Sequence, residues 1–206
     1  QTCALPIYPW VIIAGVSMDH EELKKVPPTL DVPDSSVEVA RQYNRAARVC
    51  RELTNFILAQ GYSAKAWAGP FASALSMMPA AIQAGIGTLG KHGSLINGEF
   101  GSSFRISAVT TDMPLIADHP VDIGAEDFCA NCQVCTRACP PGAIFDDKQI
   151  VRGAEKWFVD FDKCIPYFGE ALGCAICIAI CPWSTPGRSP RLTEKMLARR
   201  ARNNST

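Results

Sequence analysis

Ten cysteines occur in this 206-residue chain, and eight of them fall between positions 129 and 181. Thiols crowded in this way act as disulfides, as nucleophiles or as metal ligands, and spacing separates these roles. The first run, CANCQVCTRACPPGAIF, places Cys129, Cys132, Cys135 and Cys139 before Pro140. The second places Cys164, Cys174, Cys177 and Cys181 before Pro182. Both runs end in a three-residue gap, a cysteine and a proline. Disulfide frameworks suit short secreted chains without a core. This chain is 48% hydrophobic, so it can build a core and needs no staples.

The C-x2-C-x2-C-x3-C-P spacing is that of bacterial ferredoxins with two 4Fe–4S clusters, in which three close cysteines hold one cluster and the fourth ligates the other. The same exchange here yields one site of Cys129, Cys132, Cys135 and Cys181. The second site is Cys139, Cys164, Cys174 and Cys177. Nine residues, IPYFGEALG, separate Cys164 from Cys174. A ligand need only reach its cluster in space, and a loop insertion of this size costs little closure entropy. Small neighbours such as Ala130, Gly142, Gly173 and Ala175 leave backbone N–H groups near the inorganic sulfurs. Zinc also takes C-x2-C pairs and is the alternative. Two runs ending alike in x3-Cys-Pro favour cubanes. His20, His92 and His119 are the only histidines, and no carboxylates cluster, so a histidine-rich metal site is not expected.

The elements that must carry these thiols read as a mixed α/β chain. PWVIIAGVSMD (9–19) is an apolar, β-rich run expected as a buried strand. Ser35 and Glu38 have capping-box spacing. After them Val37, Ala40, Ala46, Val49, Cys50, Leu53, Phe56 and Ile57 recur at helical spacing, with Gly61 as the stop. Cys50 reads as a small core residue. YSAKAWA is a short strand and residues 71–84 a small-residue helix. GIGTLGKHG fits G-x-G-x-x-G through Gly85, Gly87 and Gly90, but a helix precedes it and a strand-like SLIN follows. That order is wrong for a dinucleotide fingerprint. The three glycines instead suit a backbone turn or close approach to a flat ligand. SSFRISAVTTD (102–112) alternates as a half-buried strand, with Arg105 away from the apolar side. From 124 the composition turns to cysteine, glycine and proline, which sets a boundary. Residues 124–189 form the cluster module. Residues 190–206 read as a basic helix with a solvated end, or as a dock for an acidic electron donor.

Three stretches resemble the corrinoid-dependent reductive dehalogenases and their relative epoxyqueuosine reductase. They are AGIGTLGKHGSLINGEFGSSFRISAVTTDMPL, FCANCQVCTRACPPGAI and KWFVDFDKCIPYFGEALGCAICIAICPWS. The resemblance covers roughly residues 9–200 and implies the C-terminal half of a longer enzyme. It implies a partial nitroreductase-like domain over 8–123 that binds a base-off corrinoid, with Gly85, Gly87 and Gly90 approaching the cofactor. The ferredoxin-like module follows. No Asp-x-His-x-x-Gly motif occurs, in agreement with a corrinoid that lacks a protein histidine ligand. Epoxyqueuosine reductases carry an Asp proton donor shortly before the glycine segment. The matching place here is near Phe71, and no Asp or Glu occurs from Tyr62 to Asn97. The dehalogenase side is therefore favoured. The family's proton-donor Tyr matches Tyr43, which faces inward on its helix. A family Arg matches Arg105, a cation that would favour the phenolate of a neighbouring Tyr and ease proton transfer.

The expected function is a corrinoid reductase, foremost a reductive dehalogenase. Epoxyqueuosine reduction and plain electron transfer are the alternatives. Expected partners are a small halogenated organic substrate and an external electron donor (ferredoxin, flavodoxin or reductase), with room for a membrane-anchor protein. Formal net charge is zero, which argues against nucleic acid as the main partner. No apolar run reaches the ~18 residues of a membrane span. Residues 1–7, QTCALPI, read as the translation of a common sequencing adapter, so Cys3 is set aside and the compartment is not readable.

Overall fold

The structure, a computed structural model, describes residues 8–69 and 75–203. The QTCALPI segment, Cys3 and Phe71 lie outside the described residues. The apolar run becomes strand β1 (Trp10–Ser17). Asp19 then caps the short helix α1 (His20–Leu23), its carboxylate accepting the Glu21 N–H at 2.9 Å. Helix α2 (Asp34–Ala59) is the long element of the chain, and Gly61 turns out of it at φ +87°. Strand β2 (Ala64–Trp67) and helix α3 (Met77–Gln83) follow. Next come β3 (Thr88–Leu89), β4 (Leu95–Ile96) and β5 (Phe104–Thr111).

Strand β5 is the centre of an antiparallel sheet in the order β1-β5-β2. Its register runs from Trp10↔Thr111 to Ser17↔Phe104 on one side and from Ala64↔Thr111 to Trp67↔Ala108 on the other. The expected alternation is present. One face, Phe104 and Ala108, packs with Ile13 and with Ala81 of α3. The other face is not a solvent face, because Val109 packs with Cys50 and Ile57 of α2. Arg105 is on that second face, beneath a helix, so the half-buried strand is corrected to a central one covered on both sides. The β1 edge of β5 is laddered along the whole strand, and the β2 edge over Ala108–Thr111.

Helix α2 faces the sheet differently from its apolar spacing. Its buried positions are Ser35, Glu38, Gln42, Ala46, Cys50, Thr54 and Ile57, while Val37, Val49 and Phe56 are exposed. Glu38, Gln42 and Thr54 occupy that stripe with hydrogen-bond partners, while the buried Ser35 hydroxyl has none. Glu38 accepts the Asp19 N–H at 2.7 Å, Gln42 Nε2 at 2.9 Å and Arg41 Nη1 at 3.1 Å. Committed to Asp19, Glu38 does not close a capping box with Ser35. Pro33 is the N-cap residue and makes no side-chain cap. Cys50 is fully buried in the core.

The second half builds α4 (Ala125–Asn131) and α5 (Val134–Arg137). A hairpin of β6 (Gln149–Val151) and β7 (Ala154–Lys156) turns through Arg152 and Gly153, at φ +52° and +80°. Two left-handed residues match the twist of the flanking strands. Then come α6 (Phe161–Glu170), α7 (Ile176–Ala179) and α8 (Arg188–Asn203). One core cluster joins Ile96 and Ile123 to Cys129, Trp157, Cys181, Trp183 and Met196. The change of composition at 124 therefore lies inside continuous packing. The insert before Cys174, expected as a loop, is mostly helix α6. Among the described residues no helix is long and apolar enough to cross a membrane.

Helix α8 is a correction to the solvated tail. It starts at Arg188, buries Ser189 and Met196, and ties Arg200 to Asp127 (Nε to Oδ2, 2.8 Å) and to Asp122. Truncating Met196→Ala is expected to cost about 2–5 kcal/mol. Arg200→Ala, which breaks ion pairs at the surface, should cost no more than about 1 kcal/mol. Chemical denaturation of the two variants measures both.

Candidate functional site

The local fold of each cysteine run is a pair of short turns. Helix α4 carries Cys129 and ends on Cys132, whose extended backbone starts the step into α5 and Cys135. Cys139 follows α5, and its sulfur accepts the Ala143 N–H at 3.3 Å. Cys164 lies within α6, which Asp160 caps by accepting the Asp162 and Lys163 N–H groups at 3.1 and 3.4 Å. Cys174 is in the turn after α6 and Cys177 is in α7. That turn is left-handed at Leu172, Gly173, Cys174 and Ala175, with φ of 47°, 101°, 29° and 58°. Each non-glycine residue there costs roughly 1–2 kcal/mol. Bonds from Gly173 N to Phe168 O (2.8 Å) and Cys174 N to Ala171 O (3.0 Å) hold it, and the Ser36 hydroxyl donates to the Leu172 carbonyl.

The eight thiols gather as two groups. Cys129, Cys132, Cys135 and Cys181 line one pocket with Lys91 and His92, and Phe128, Pro182 and Trp183 complete its wall. Phe128 meets Trp183 edge to face at 5.5 Å. Cys139, Cys164 and Cys177 pack together around Ala143, Ile144 and Val159. Cys174 is close enough to Cys139 and Cys177 for their charges to interact. Cys135 of the first group touches the second through Cys177, so the two groups are neighbours.

Burial dominates the electrostatics of these thiols. It pushes Cys129 up to about 11, against the Lys91 backbone N–H. It pushes Cys177 and Cys181 up to about 12. Every described cysteine is free of disulfides. Buried thiols of this kind ionise only when a cation binds them. Among the described residues no three His, Cys, Asp or Glu side chains close on one point as around a lone metal ion. A gathered but spread set of four soft donors fits an iron–sulfur cubane better than a single zinc ion.

Tyr43 and Arg105 are brought together. The guanidinium carbon of Arg105 lies 5.1 Å from the centre of the Tyr43 ring. Burial pushes Arg105 down from its ordinary value, while Tyr43 and then Cys177 pull it back up. Its Nε is buried and has no hydrogen-bond partner. An orphaned donor next to a phenol and a thiol of the second group suits an acceptor from a bound ligand.

At Gly85, Gly87 and Gly90 the protein's own atoms crowd the place of a Cβ. A Cβ at Gly85 would lie 2.5 Å from the His119 carbonyl oxygen, and one at Gly87 2.6 Å from that of Ile96. A Cβ at Gly90 would lie 2.8 Å from atoms of His92 and Ile96. Self-packing accounts for glycine at all three. Their segment brings in two residues missed in the sequence, Lys91 and His92. His92 accepts the Ser94 N–H at Nδ1 (3.2 Å) and faces the Ser102 hydroxyl with Nε2 (3.1 Å). That hydroxyl donates to the Leu95 carbonyl at 2.9 Å, so Nε2 carries the proton. Burial pushes His92 down to about 4, which keeps the ring neutral. No local signal marks Lys91, because its partners Gln133, Asp146 and Trp157 are distant in sequence.

Comparison with known proteins adds four findings. Residues 128–185 match the family model described as "4Fe-4S dicluster domain". Over 184 residues the chain is 32% identical to a tetrachloroethene reductive dehalogenase of Sulfurospirillum multivorans, covering 84% of this chain and 35% of that protein. Over 121 residues it is 35% identical to an epoxyqueuosine reductase of Cyclobacterium marinum, covering 50% of this chain and 35% of that one. Among solved structures, a reductive dehalogenase studied for B12-dependent dehalogenation superposes with a TM-score of 0.79 at 28% identity, over 93% of this chain and 29% of that one. The chain thus spans about a third of the length of the curated relatives it matches.

The pocket of the first group depends on one close backbone approach. A Cβ at Gly101, which has φ +61°, would lie 1.9 Å from the Trp183 carbonyl oxygen. Gly153, equally left-handed, has nothing within 4 Å. Gly153→Ala should cost only the roughly 1–2 kcal/mol of a left-handed residue. Gly101→Ala must also push the Cys181–Trp183 segment away, so its thermal midpoint should fall well below that of Gly153→Ala.

Proposed function

From a chain homologous to the reductive dehalogenases and related to epoxyqueuosine reductase, we propose the cluster-bearing part of a corrinoid-dependent reductive dehalogenase. The observation that carries this reading is Arg105, which faces the Tyr43 ring at 5.1 Å, interacts with the charge of Cys177 and has an unpaired buried Nε. It joins a proton donor to a metal centre, as a reductive cleavage requires.

In this reading Cys129, Cys132, Cys135 and Cys181 hold one 4Fe–4S cluster. Cys139, Cys164, Cys174 and Cys177 hold the other. When bound, the clusters supply one-electron transfer, and a base-off corrinoid supplies reductive cleavage of the carbon–halogen bond. The contact of Cys135 with Cys177 keeps the electron path between the groups short. The second group is the one beside Arg105 and so would hold the cluster nearer the Tyr43 hydroxyl. The Tyr43 hydroxyl holds the proton that replaces the halide on carbon. Arg105 faces that ring at 5.1 Å and positions it.

The proposed substrate is a small halogenated organic compound, and the electrons come from an external donor, a ferredoxin, flavodoxin or reductase. A nitroreductase-like corrinoid domain over 8–123 and a cluster module over 124–189 complete the proposal. A second reading, epoxyqueuosine reduction, is favoured by the 35% identity to that enzyme. The absence of any Asp or Glu between Tyr62 and Asn97 speaks against it.

Cys181→Ser and Cys164→Ser should each lose one cluster and keep the other, seen as half the iron content and loss of a different EPR signal. In the full-length protein loaded with corrinoid, Tyr43→Phe should lower halide release from halogenated phenols by about 10²–10⁴-fold with corrinoid binding unchanged. Turnover of queuosine-containing transfer RNA without any halide release would replace the dehalogenase reading with the second one.

A further inference from the structure

Lys91 is 1% exposed, among the largest fully buried side chains of the protein. Its Nζ donates to the Asp146 carbonyl at 2.7 Å and to Gln133 Oε1 at 3.3 Å. It lies 4.8 Å from the centre of the Trp157 ring. Two neutral acceptors serve an ammonium with three donors. Among the described residues no carboxylate pairs with it. A buried ammonium without a counter-charge is costly, and proteins keep one only where an anion compensates it. The place where an anion belongs is beside it. Lys91 lines the pocket of Cys129, Cys132, Cys135 and Cys181, and its charge acts on Cys129 and Cys135. The other basic side chain of that pocket, His92, is buried among Ser94 and Ser102 as a neutral ring.

The geometry points to Lys91 as the counter-charge of the first 4Fe–4S cluster, a positioning residue that raises the reduction potential of that cluster. The inference rests on the two-cluster reading above. Four thiolates around a 4Fe–4S core leave a net negative charge, and an added electron increases it. A fixed cation in a low-dielectric pocket stabilises the reduced form more than the oxidised one. Lys91 takes no part in proton transfer and forms no bond with the substrate. It makes the first cluster a better acceptor for electrons from the external one-electron donor.

The test is an EPR-monitored redox titration of the full chain, purified and reconstituted anaerobically, as parent, Lys91→Met and Lys91→Arg. A parent without two cluster signals would sink the two-cluster reading itself. With both signals present, Lys91→Met should lower the reduced-to-oxidised ratio of one cluster by about tenfold at fixed poise, about 59 mV for a one-electron couple. The other signal should hold, and Lys91→Arg should stay near the parent. Failure of Lys91→Met alone to retain that cluster supports the same role, since only the charge differs in kind. Unchanged potentials in Lys91→Met, equal shifts in both variants, or loss of the cluster from both would assign Lys91 to packing and overturn the proposal.

Discussion

The structure depends on a crossing. Cys181 joins Cys129, Cys132 and Cys135 in one pocket, while Cys139 leaves its own run to stand with Cys164 and Cys177. Two distant stretches of chain are thereby held side by side. Everything between them has to fold back on itself: the Arg152–Gly153 hairpin, helix α6 and the left-handed turn at 172–175. Water must also be kept out, which is why Trp183, Phe128 and Met196 surround the first group. The burial that raises the thiols toward 11 or 12 comes from the same packing.

That packing couples the cluster region to the sheet. Ile96, from the glycine-rich stretch, is in one core with Cys129, Cys181 and Trp183. Met18 and Leu23, at the end of β1 and in α1, pack with Ile178 and Ala179 of α7. The Ser36 hydroxyl reaches the turn before Cys174. The second group is thus clamped to α1 and α2, the elements that also position Tyr43. Helix α6 is the exception. It buries none of its residues in this chain, and Ile165 and Phe168 stay exposed.

The cysteine grouping was legible in the sequence because it is written in short spacings, and each short spacing is one local turn. The strands were legible from apolar runs and alternation. What could not be read was set by distant partners. Glu38 was read as half of a capping box with Ser35, yet it is buried and accepts the Asp19 N–H instead. Arg105 was read as facing away from the core, and it does, but another helix covers that face. Lys91 carried no local mark at all. Gln133, Asp146 and Trp157 decide its burial, and each lies more than one element away. The basic tail looked solvated because its anchoring apolar residues, Met196 and Leu192, are outnumbered by charges.

The packing of Met196 has a consequence for how the protein matures. Helix α8 follows the last cysteine, and its Met196 presses on Gly124, where a Cβ would come within 2.5 Å of it. Synthesis proceeds from the N-terminus at about 5–20 residues per second. The thiols of Cys129, Cys132 and Cys135 therefore emerge seconds before Cys181 and before the helix that shields them. During that interval the nascent chain offers three open thiols to any oxidant or stray metal. The site is complete only when Cys181 arrives from the second run, and α8 then closes on Gly124 beside it.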